Sequence, residues 1–240
     1  MLSANEIKRL RSLGSKKGRD SSGLFIVEGE KMVSEALASG FEVVEVYRSS
    51  EIGEEAMGRI SCLSSPSPAL AVLKMKEAVP FRPGPGLFLI LDSIRDPGNL
   101  GTILRIADWF GIDNIVCSQE TADAWNPKVV KATMGSIARV NIIYTNLNAL
   151  IDTLPTDFPV YGTLLDGDNI YTQQLTTGGI IVMGNEGQGL TEEVRRRVNH
   201  RLLIPSYRTE DTAESLNVAI ATAIVCAEFR RRGTVQSITP

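Results

Sequence analysis

The chain has 240 residues, of which 43% are apolar, and a formal net charge of −3 from 25 basic and 28 acidic residues. This length and apolar content suffice for one large or two modest globular domains. The mildly acidic balance counts against a protein that binds nucleic acid through overall positive charge alone. No run of about eighteen apolar residues is present and the N-terminus is polar and basic, so we expect a cytoplasmic protein without a membrane span.

Metal and thiol chemistry find little support in the sequence. Cys62, Cys117 and Cys226 are isolated and odd in number, so they indicate neither a disulfide framework nor a thiolate zinc site. His200 is the only histidine, which excludes a histidine metal cluster and leaves a Ser-His-Asp or Cys-His hydrolase little to build on. We therefore expect reduced, mostly buried cysteines and no metal.

The first 79 residues predict a small α/β domain. In chain order, the pattern favours a polar helix near residues 3–13, a basic loop at 14–22, a strand at 24–27, a helix at about 30–38 and a strand at 42–47. Positive charge is concentrated at the start of this region and again at residues 195–197 and 230–232. Each cluster taken alone fits a local basic patch or a solvated helix face, and both interpretations stay open.

A linker and a larger α/β domain follow. Residues 80–86 contain five Pro or Gly and predict the linker, so the second domain spans residues 87–240. Continuous apolar runs there are typical of buried parallel strands, and helical periodicity falls between them, which predicts a doubly wound parallel sheet. The predicted strands are 87–91, 115–117, 160–164, 180–183 and 202–204.

A polar turn at residues 96–101 follows the first of these strands. Pro97 and Gly98 favour a tight bend, and Asn99 is positioned to cap the helix that follows. Arg105, farther along that helix, carries a planar fork suited to phosphate. An ordinary cap and an exposed helix arginine would give the same residues, so a ligand-binding role is one of two interpretations.

A second polar turn, residues 184–189, follows the strand at 180–183. Its glycines, Gly184, Gly187 and Gly189, let backbone amides approach a ligand closely. Their spacing is neither the dinucleotide fingerprint nor a phosphate-binding nucleotide loop. Glu186 is the only carboxylate in the turn, and it either bonds the loop amides or takes part in chemistry.

A third polar turn opens the last helix. Ser215 or Thr212 is expected to cap that helix, with Asn217 in its first turn. Asn is a poor residue for a helix interior, so the Asn217 amide is a candidate for positioning an incoming group.

Taken in order, the three turns resemble the three motifs of the SpoU/TrmH family of RNA 2′-O-ribose methyltransferases. The resemblance covers about residues 87–232, and residues 7–29 also resemble the start of a ribosomal-protein-like RNA-binding domain. The matching residues are Pro97, Asn99, Gly101 and Arg105 in the first motif, Met183 to Leu190 in the second, and Ile204, Pro205 and Ser215 to Val218 in the third.

The resemblance implies a SPOUT-type α/β fold, in which a parallel sheet carries a C-terminal trefoil knot and a small RNA-binding domain precedes it. It implies a homodimer, S-adenosylmethionine as cofactor and RNA as partner. By motif position, Asn99, Arg105, Glu186, Ser215 and Asn217 are expected in catalysis or substrate positioning, and Gly184, Asn185, Gly189, Ile204 and Leu216 in cofactor binding. The RNA-binding residues expected in the N-terminal domain are Lys8, Arg9, Arg11, Lys16, Lys17 and Arg19.

The resemblance implies methylation of a ribose 2′-hydroxyl, in ribosomal RNA first because of the accessory domain and in transfer RNA second. Two other classes stay open: a non-catalytic RNA-binding protein of the same fold that acts in ribosome assembly, and a small-molecule α/β enzyme. The chain departs from the family pattern between Ile204 and Ser215, where a longer polar loop includes residues 207–212.

Overall fold

The structure is a computed structural model that describes residues 2–208 and 215–233. Its chain divides into two compact units. The N-terminal unit consists of Met1–Glu77 and Asp123–Arg139, and the C-terminal unit consists of Ala78–Ala122 and Val140–Pro240. In chain order the elements are α1 (Ala4–Ser12), α2 (Lys16–Ser22), β1 (Leu24–Glu28), α3 (Glu30–Ala38), β2 (Val43–Arg48), α4 (Ser49–Ile52), α5 (Glu54–Ile60), β3 (Ala69–Lys74), β4 (Leu87–Leu91), α6 (Pro97–Trp109), β5 (Asn114–Cys117), α7 (Pro127–Thr133), a 3-10 helix (Ser136–Ala138), β6 (Asn141–Tyr144), α8 (Leu147–Asp152), β7 (Val160–Asn169), β8 (Gly179–Met183), α9 (Glu192–Arg195), β9 (His200–Leu203) and α10 (Val218–Arg232).

The N-terminal unit contains a three-stranded antiparallel sheet in the order β1-β3-β2. The helix predicted at 30–38 and the strands predicted at 24–27 and 42–47 are present, but the central strand β3 was not predicted. The predicted basic loop at 14–22 is wrong because α2 occupies most of it. Ser15 caps α2 by accepting from the Gly18 amide, and Gly23 ends it with φ of 68°.

Residues 123–139 lie between β5 and β6 in the chain, yet they belong to the N-terminal unit. The sequence predicted two continuous domains, residues 1–79 and 87–240, separated by a linker. That division assigns residues 123–139 to the second domain, whereas in the structure they belong to the N-terminal unit. Trp125 places its ring 4.7 Å from that of Phe25, centroid to centroid, and Asp123 accepts hydrogen bonds from Arg19. Side chains from both parts of the sequence therefore build the core of this unit.

The C-terminal unit contains a six-stranded sheet in the order β6-β5-β4-β8-β7-β9, with every adjacent pair parallel. All five predicted strands are present, and β6 joins them at one edge. Every residue of β4 and β8 is buried, as expected for central strands covered on both faces. The parallel α/β class predicted from the sequence is confirmed; the predicted knot depends in part on residues 209–214, which lie outside the described residues.

Two predicted helix caps are wrong. Asp96, not Asn99, caps α6, because its carboxylate accepts from the Asn99 amide at 2.8 Å and Pro97 is preorganised for the first helical position. Asn217, not Ser215, caps α10, because its Oδ1 accepts from the amides of Ala219 and Ile220. Thr212, the other predicted cap, lies outside the described residues. These shifts leave the Asn99 side chain available for other contacts.

The arginine clusters at 195–197 and 230–232 are bonded within the C-terminal unit, which argues against free basic patches. Arg195, Arg196 and Arg197 pair with Asp166, Glu192 and Asp152; Arg231 and Arg232 pair with Glu228, and Arg230 donates to the carbonyls of Phe110 and Gly111. In the described part of the chain, no helix is long and apolar enough to cross a bilayer.

The cysteines are free thiols. Cys117 and Cys226 are buried and Cys62 is half-buried, as predicted. Burial raises the pKa of all three thiols, that of Cys226 to about 12, so they remain protonated at neutral pH.

Candidate active site

The carboxyl ends of three neighbouring strands, β8, β7 and β9, meet at one edge of the six-stranded sheet and surround a cavity of about 480 Å³. Carboxyl ends of parallel strands are where α/β proteins place ligands. The cavity walls come from residues 163–166 of β7, 183–190 after β8, 202–204 of β9, and Ser215 and Leu216 before α10. Two of the three sequence motifs therefore face one cavity.

The loop at residues 184–189 is held closed by Asn185. Its backbone forms a two-bond bridge with Gly189, both bonds 2.9 Å long. Its side-chain Oδ1 accepts from the amides of Gly187 and Gln188 at 3.0 and 3.1 Å. Its Nδ2 donates to the carbonyl of Ser93 at 2.8 Å. Asn185, predicted to contact cofactor, uses its side chain to shape the loop.

Gly184 sits where no side chain fits. A Cβ at this position would lie 2.4 Å from the carbonyl carbon of Gly189 and 2.5 Å from the nitrogen of Leu190. Gly189 adopts φ of 70°, a conformation that favours glycine. Both glycines are therefore required by the turn itself, and their small size brings the loop backbone to the cavity wall.

Asp92 and Ser93, which directly follow β4, hold this loop in place through hydrogen bonds. The Asp92 carboxylate is 2% exposed, and its Oδ2 accepts from the amide and the hydroxyl of Thr191 at 2.7 and 2.8 Å. Ser93 has φ of 62°, an uncommon value for serine that presents its carbonyl to Asn185. The sequence interpretation missed both residues; their position at a strand carboxyl end was the available signal.

A chain of amide hydrogen bonds joins all three motifs. Asn217 donates from Nδ2 to Oδ1 of Asn99 at 2.9 Å, and Asn99 donates from Nδ2 to Oε1 of Glu186 at 2.7 Å. Because the Asn217 Oδ1 is occupied by the amides that begin α10, its Nδ2 can only point outward. Each amide thus fixes the orientation of the next, and Glu186 bonds Asn99 rather than the loop amides.

The other predicted site residues either line the cavity or lie on the surface of α6. Ser215, Leu216 and Ile204 line the cavity, with Leu216 50% exposed. Arg105 is exposed on α6 and pairs with no residue in the part of the chain that the structure describes. Most of the long loop noted at 207–212 lies outside the described residues.

One predicted RNA-binding residue is wrong, and two are already paired. Arg19 is 1% exposed and bonds Asp123 and the Leu13 carbonyl, so it stabilises the interior of the N-terminal unit. Arg9 bonds Glu45, which raises the pKa of its guanidinium, and Lys16 bonds Asp20. The remaining predicted cations, Lys8, Arg11 and Lys17, are exposed and form no ion pair with any residue in 2–208 or 215–233.

Two family models together match most of the chain. The model described as the SpoU rRNA Methylase family matches residues 86–227, and the MRM3-like substrate binding domain matches residues 4–79. The first match contains all three motifs and the cavity.

Several relatives are similar to this chain over nearly their whole length. The 23S rRNA (guanosine(2553)-2′-O)-methyltransferase RlmP of Bacillus subtilis (strain 168) is 31% identical over 242 residues, covering 94% of this chain and 96% of the relative. A TrmH-family protein from Porphyromonas gingivalis superposes with a TM-score of 0.85 at 40% identity, covering 97% of this chain and 99% of that one. The AdoMet-bound rRNA methyltransferase from Sinorhizobium meliloti superposes with a TM-score of 0.84 at 30% identity, covering 96% and 97%. The likeness therefore includes the N-terminal unit.

Proposed function

The chain belongs to the SpoU rRNA methylase family, and from this membership together with the site geometry we propose that it methylates a ribose 2′-hydroxyl of ribosomal RNA with S-adenosylmethionine as methyl donor. The observation that carries the proposal is the amide chain from Asn217 through Asn99 to Glu186, because it orders residues of all three motifs beside a ligand-sized cavity.

The cavity suits this cofactor. Its volume of about 480 Å³ falls in the range of about 300–1,000 Å³ typical of small-molecule sites. Leucine side chains at 164, 202 and 216 offer apolar walls for a base ring, while the 184–189 loop and charged side chains offer polar contacts. When bound, S-adenosylmethionine supplies an electrophilic methyl group on a sulfonium centre. Gly184 and Gly189 would hold it through backbone contact, with Ile204 and Leu216 against its apolar part.

The protein's own residues position the acceptor hydroxyl. Proximity and orientation can supply much of the acceleration of a methyl transfer. Asn99 and Asn217 present oriented amides, and Ser215 offers a hydroxyl from the cavity wall, so these groups would orient the ribose. Arg105 is a poor base because its guanidinium is permanently charged. We assign it to phosphate binding and to stabilising the charge that develops on the 2′-oxygen.

The N-terminal unit would bind the RNA substrate. Lys8, Arg11 and Lys17 are exposed on α1 and α2 without ion-pair partners among the described residues, so they are available to phosphates. Ribosomal RNA is the preferred substrate because the full-length relative RlmP carries that activity in its name. We expect such an enzyme to work in the cytoplasm.

A homodimer through α6 and α10 completes the proposal. These two helices pack on each other, and they leave Trp109 85% exposed and Ile220 54% exposed. A second copy of the chain would remove this apolar surface from water. Light scattering should report a dimer for the wild type and a monomer for Trp109→Arg, and a monomeric wild type would contradict the assignment.

Labelled S-adenosylmethionine tests the activity directly. The purified protein is incubated with ribosomal and transfer RNA pools, and alkali-resistant dinucleotides are mapped. We expect label in ribosomal RNA for the wild type and loss of label for Asn217→Ala. Label confined to transfer RNA would reassign the substrate. RNA binding without label or cofactor binding would identify a non-catalytic RNA-binding protein of this fold.

A further inference from the structure

A looped-out segment of β7 forms part of the cavity wall. Thr163 and Asp168 both lie opposite Leu202 of β9, so residues 164–167 are inserted between two positions that share one partner. Bulges of this kind re-aim side chains and are common beside active sites. In this strand the insertion brings Asp166 to the cavity.

The Asp166 carboxylate is held from one side and open on the other. Its Oδ2 accepts from Arg195 at 2.5 Å and from Arg201 at 3.2 Å. Its Oδ1 accepts no hydrogen bond from any residue that the structure describes, and the side chain is 50% exposed. A carboxylate oxygen with both lone pairs available is therefore fixed in position beside the cavity.

The local charge restricts what this oxygen can bind. Two guanidinium groups on one carboxylate leave one net positive charge, which would repel an ammonium or sulfonium group. Neutral hydroxyl groups meet no such repulsion and are good donors to a carboxylate. Glu186, the other carboxylate among the described residues of the cavity wall, is already bonded to Asn99.

We infer that Asp166 accepts hydrogen bonds from the ribose hydroxyls of the bound cofactor, which makes it a specificity-determining residue, with Arg195 and Arg201 as positioning residues. The inference rests on the proposed function for its ligand. An acidic side chain near the carboxyl end of a neighbouring strand plays the same chemical part toward ribose in dinucleotide-binding sheets.

Titration calorimetry with three probes tests the assignment. The probes are S-adenosylhomocysteine, 5′-methylthioadenosine, which lacks the amino-acid part, and 5′-methylthio-2′,3′-dideoxyadenosine, which also lacks both ribose hydroxyls. The wild type should bind 5′-methylthioadenosine about 10- to 100-fold more tightly than the dideoxy probe, the effect of hydrogen bonds to a charged group. Asp166→Asn should lower the affinity for S-adenosylhomocysteine and for 5′-methylthioadenosine by a similar factor. The affinity for the dideoxy probe should stay unchanged.

Asp168→Asn is the matched control, because Asp168 is exposed two residues along the same strand and outside the cavity wall. It should bind all three probes like the wild type. If Asp166→Asn lowers the affinity for S-adenosylhomocysteine alone, Asp166 contacts the amino-acid part of the cofactor, and the inference is overturned. Equal wild-type affinity for the two methylthio probes would overturn it without any variant. A wild type that binds none of the three would contradict the cofactor of the proposed function, and this inference with it.

Discussion

Asn217 performs two tasks with the two ends of one amide. Its Oδ1 caps α10 by accepting from the amides of Ala219 and Ile220, and its Nδ2 donates to Asn99. The helix terminus thus determines which way the amide points, so no separate residue is needed to orient it. The Asn217 side chain therefore both stabilises α10 and orients Asn99, and substitutions can remove one of these effects without the other.

Asn217→Ser should separate the two tasks. Serine retains an oxygen that caps the helix but lacks the second donor, so we expect the free energy of unfolding to stay within about 0.5 kcal/mol while the turnover rate falls about tenfold. Asn217→Ala should lose the turnover rate and also about 1 kcal/mol of stability. Urea denaturation and methyl-transfer assays measure the two effects, and full activity in the serine variant would contradict the role in the amide chain.

Arg105 should respond to substitution according to charge rather than basicity. Because its proposed work is to bind phosphate and stabilise negative charge, Arg105→Lys should retain measurable activity at about a tenth of the wild-type rate. In Arg105→Ala the methyl-transfer rate should fall about 100- to 1,000-fold, the effect expected when a hydrogen-bond donor to a developing oxyanion is removed. Single-turnover rates at saturating RNA provide the comparison, and equal loss in the two variants would argue against charge stabilisation.

At the scale of elements, the loop after β8 is stabilised by close approach of its own backbone. Asn185 satisfies the amides inside the turn, and Asp92 and Ser93 attach the loop to the end of β4. The loop shape is thus set before any ligand binds, which lowers the ordering cost of binding.

Gly184→Ala should open the loop. The added Cβ would lie 2.4 Å from Gly189, so the bridge between residues 185 and 189 must shift, at a cost of about 1–3 kcal/mol. We expect affinity for S-adenosylhomocysteine to fall at least about tenfold in calorimetry, with the fold retained. Gly86→Ala is the control outside the cavity wall, since a Cβ at Gly86 would meet nothing within 4 Å. Equal binding by both variants would contradict the role assigned to Gly184.

The C-terminal turn of α10 depends on pH through Glu228. A carboxylate near a helix C-terminus is unfavourable for the helix dipole, but hydrogen bonds from Arg231 and then Arg232 lower the pKa of Glu228. The folded pKa lies below the unfolded value of about 4.3, so this stabilisation is complete above that pH and is lost as the pH falls through the folded pKa.

Glu228→Gln should therefore cost about 1 kcal/mol at pH 7, and the difference from wild type should shrink below about pH 4. Glu192→Gln, which removes an exposed partner of Arg196, should cost less than about 0.5 kcal/mol. Urea denaturation between pH 3 and pH 7 measures both. A stability difference for Glu228→Gln that grows as the pH falls would contradict a lowered pKa for this carboxyl in the folded protein.

At the scale of the whole molecule, the chain passes through the N-terminal unit twice. Residues 123–139 leave the sheet after β5 and return at β6, and between these strands they bury Arg19 and pack Trp125 on Phe25 and Phe41. The first 77 residues alone would leave Phe25 and Phe41 without the Trp125 ring and the Arg19 guanidinium without its carboxylate.

Asp123→Asn should be strongly destabilising because it leaves a buried guanidinium without a counter-charge, at a cost of about 3 kcal/mol. Asp20→Asn is the control, since it breaks an exposed pair with Lys16 and should cost less than about 1 kcal/mol. In a Trp109→Phe background Trp125 is the remaining tryptophan, so equilibrium denaturation followed by its fluorescence reports on the N-terminal unit. Equal costs for the two variants would show that Arg19 does not depend on Asp123.

The sequence by itself determined the parallel α/β class, the strands predicted after residue 87 and the three motifs, because apolar runs and glycine spacing are local signals. Only the tertiary structure decided the long-range partners of the polar side chains: Asn99 bonds Asn217 and Glu186, Asn185 bonds the Ser93 carbonyl, and Arg19 bonds Asp123 as an interior residue rather than an RNA contact. Long-range pairing also moved residues 123–139 into the N-terminal unit. A motif specifies residue types at a spacing, but the partner of each polar group is set by distant segments that burial brings together.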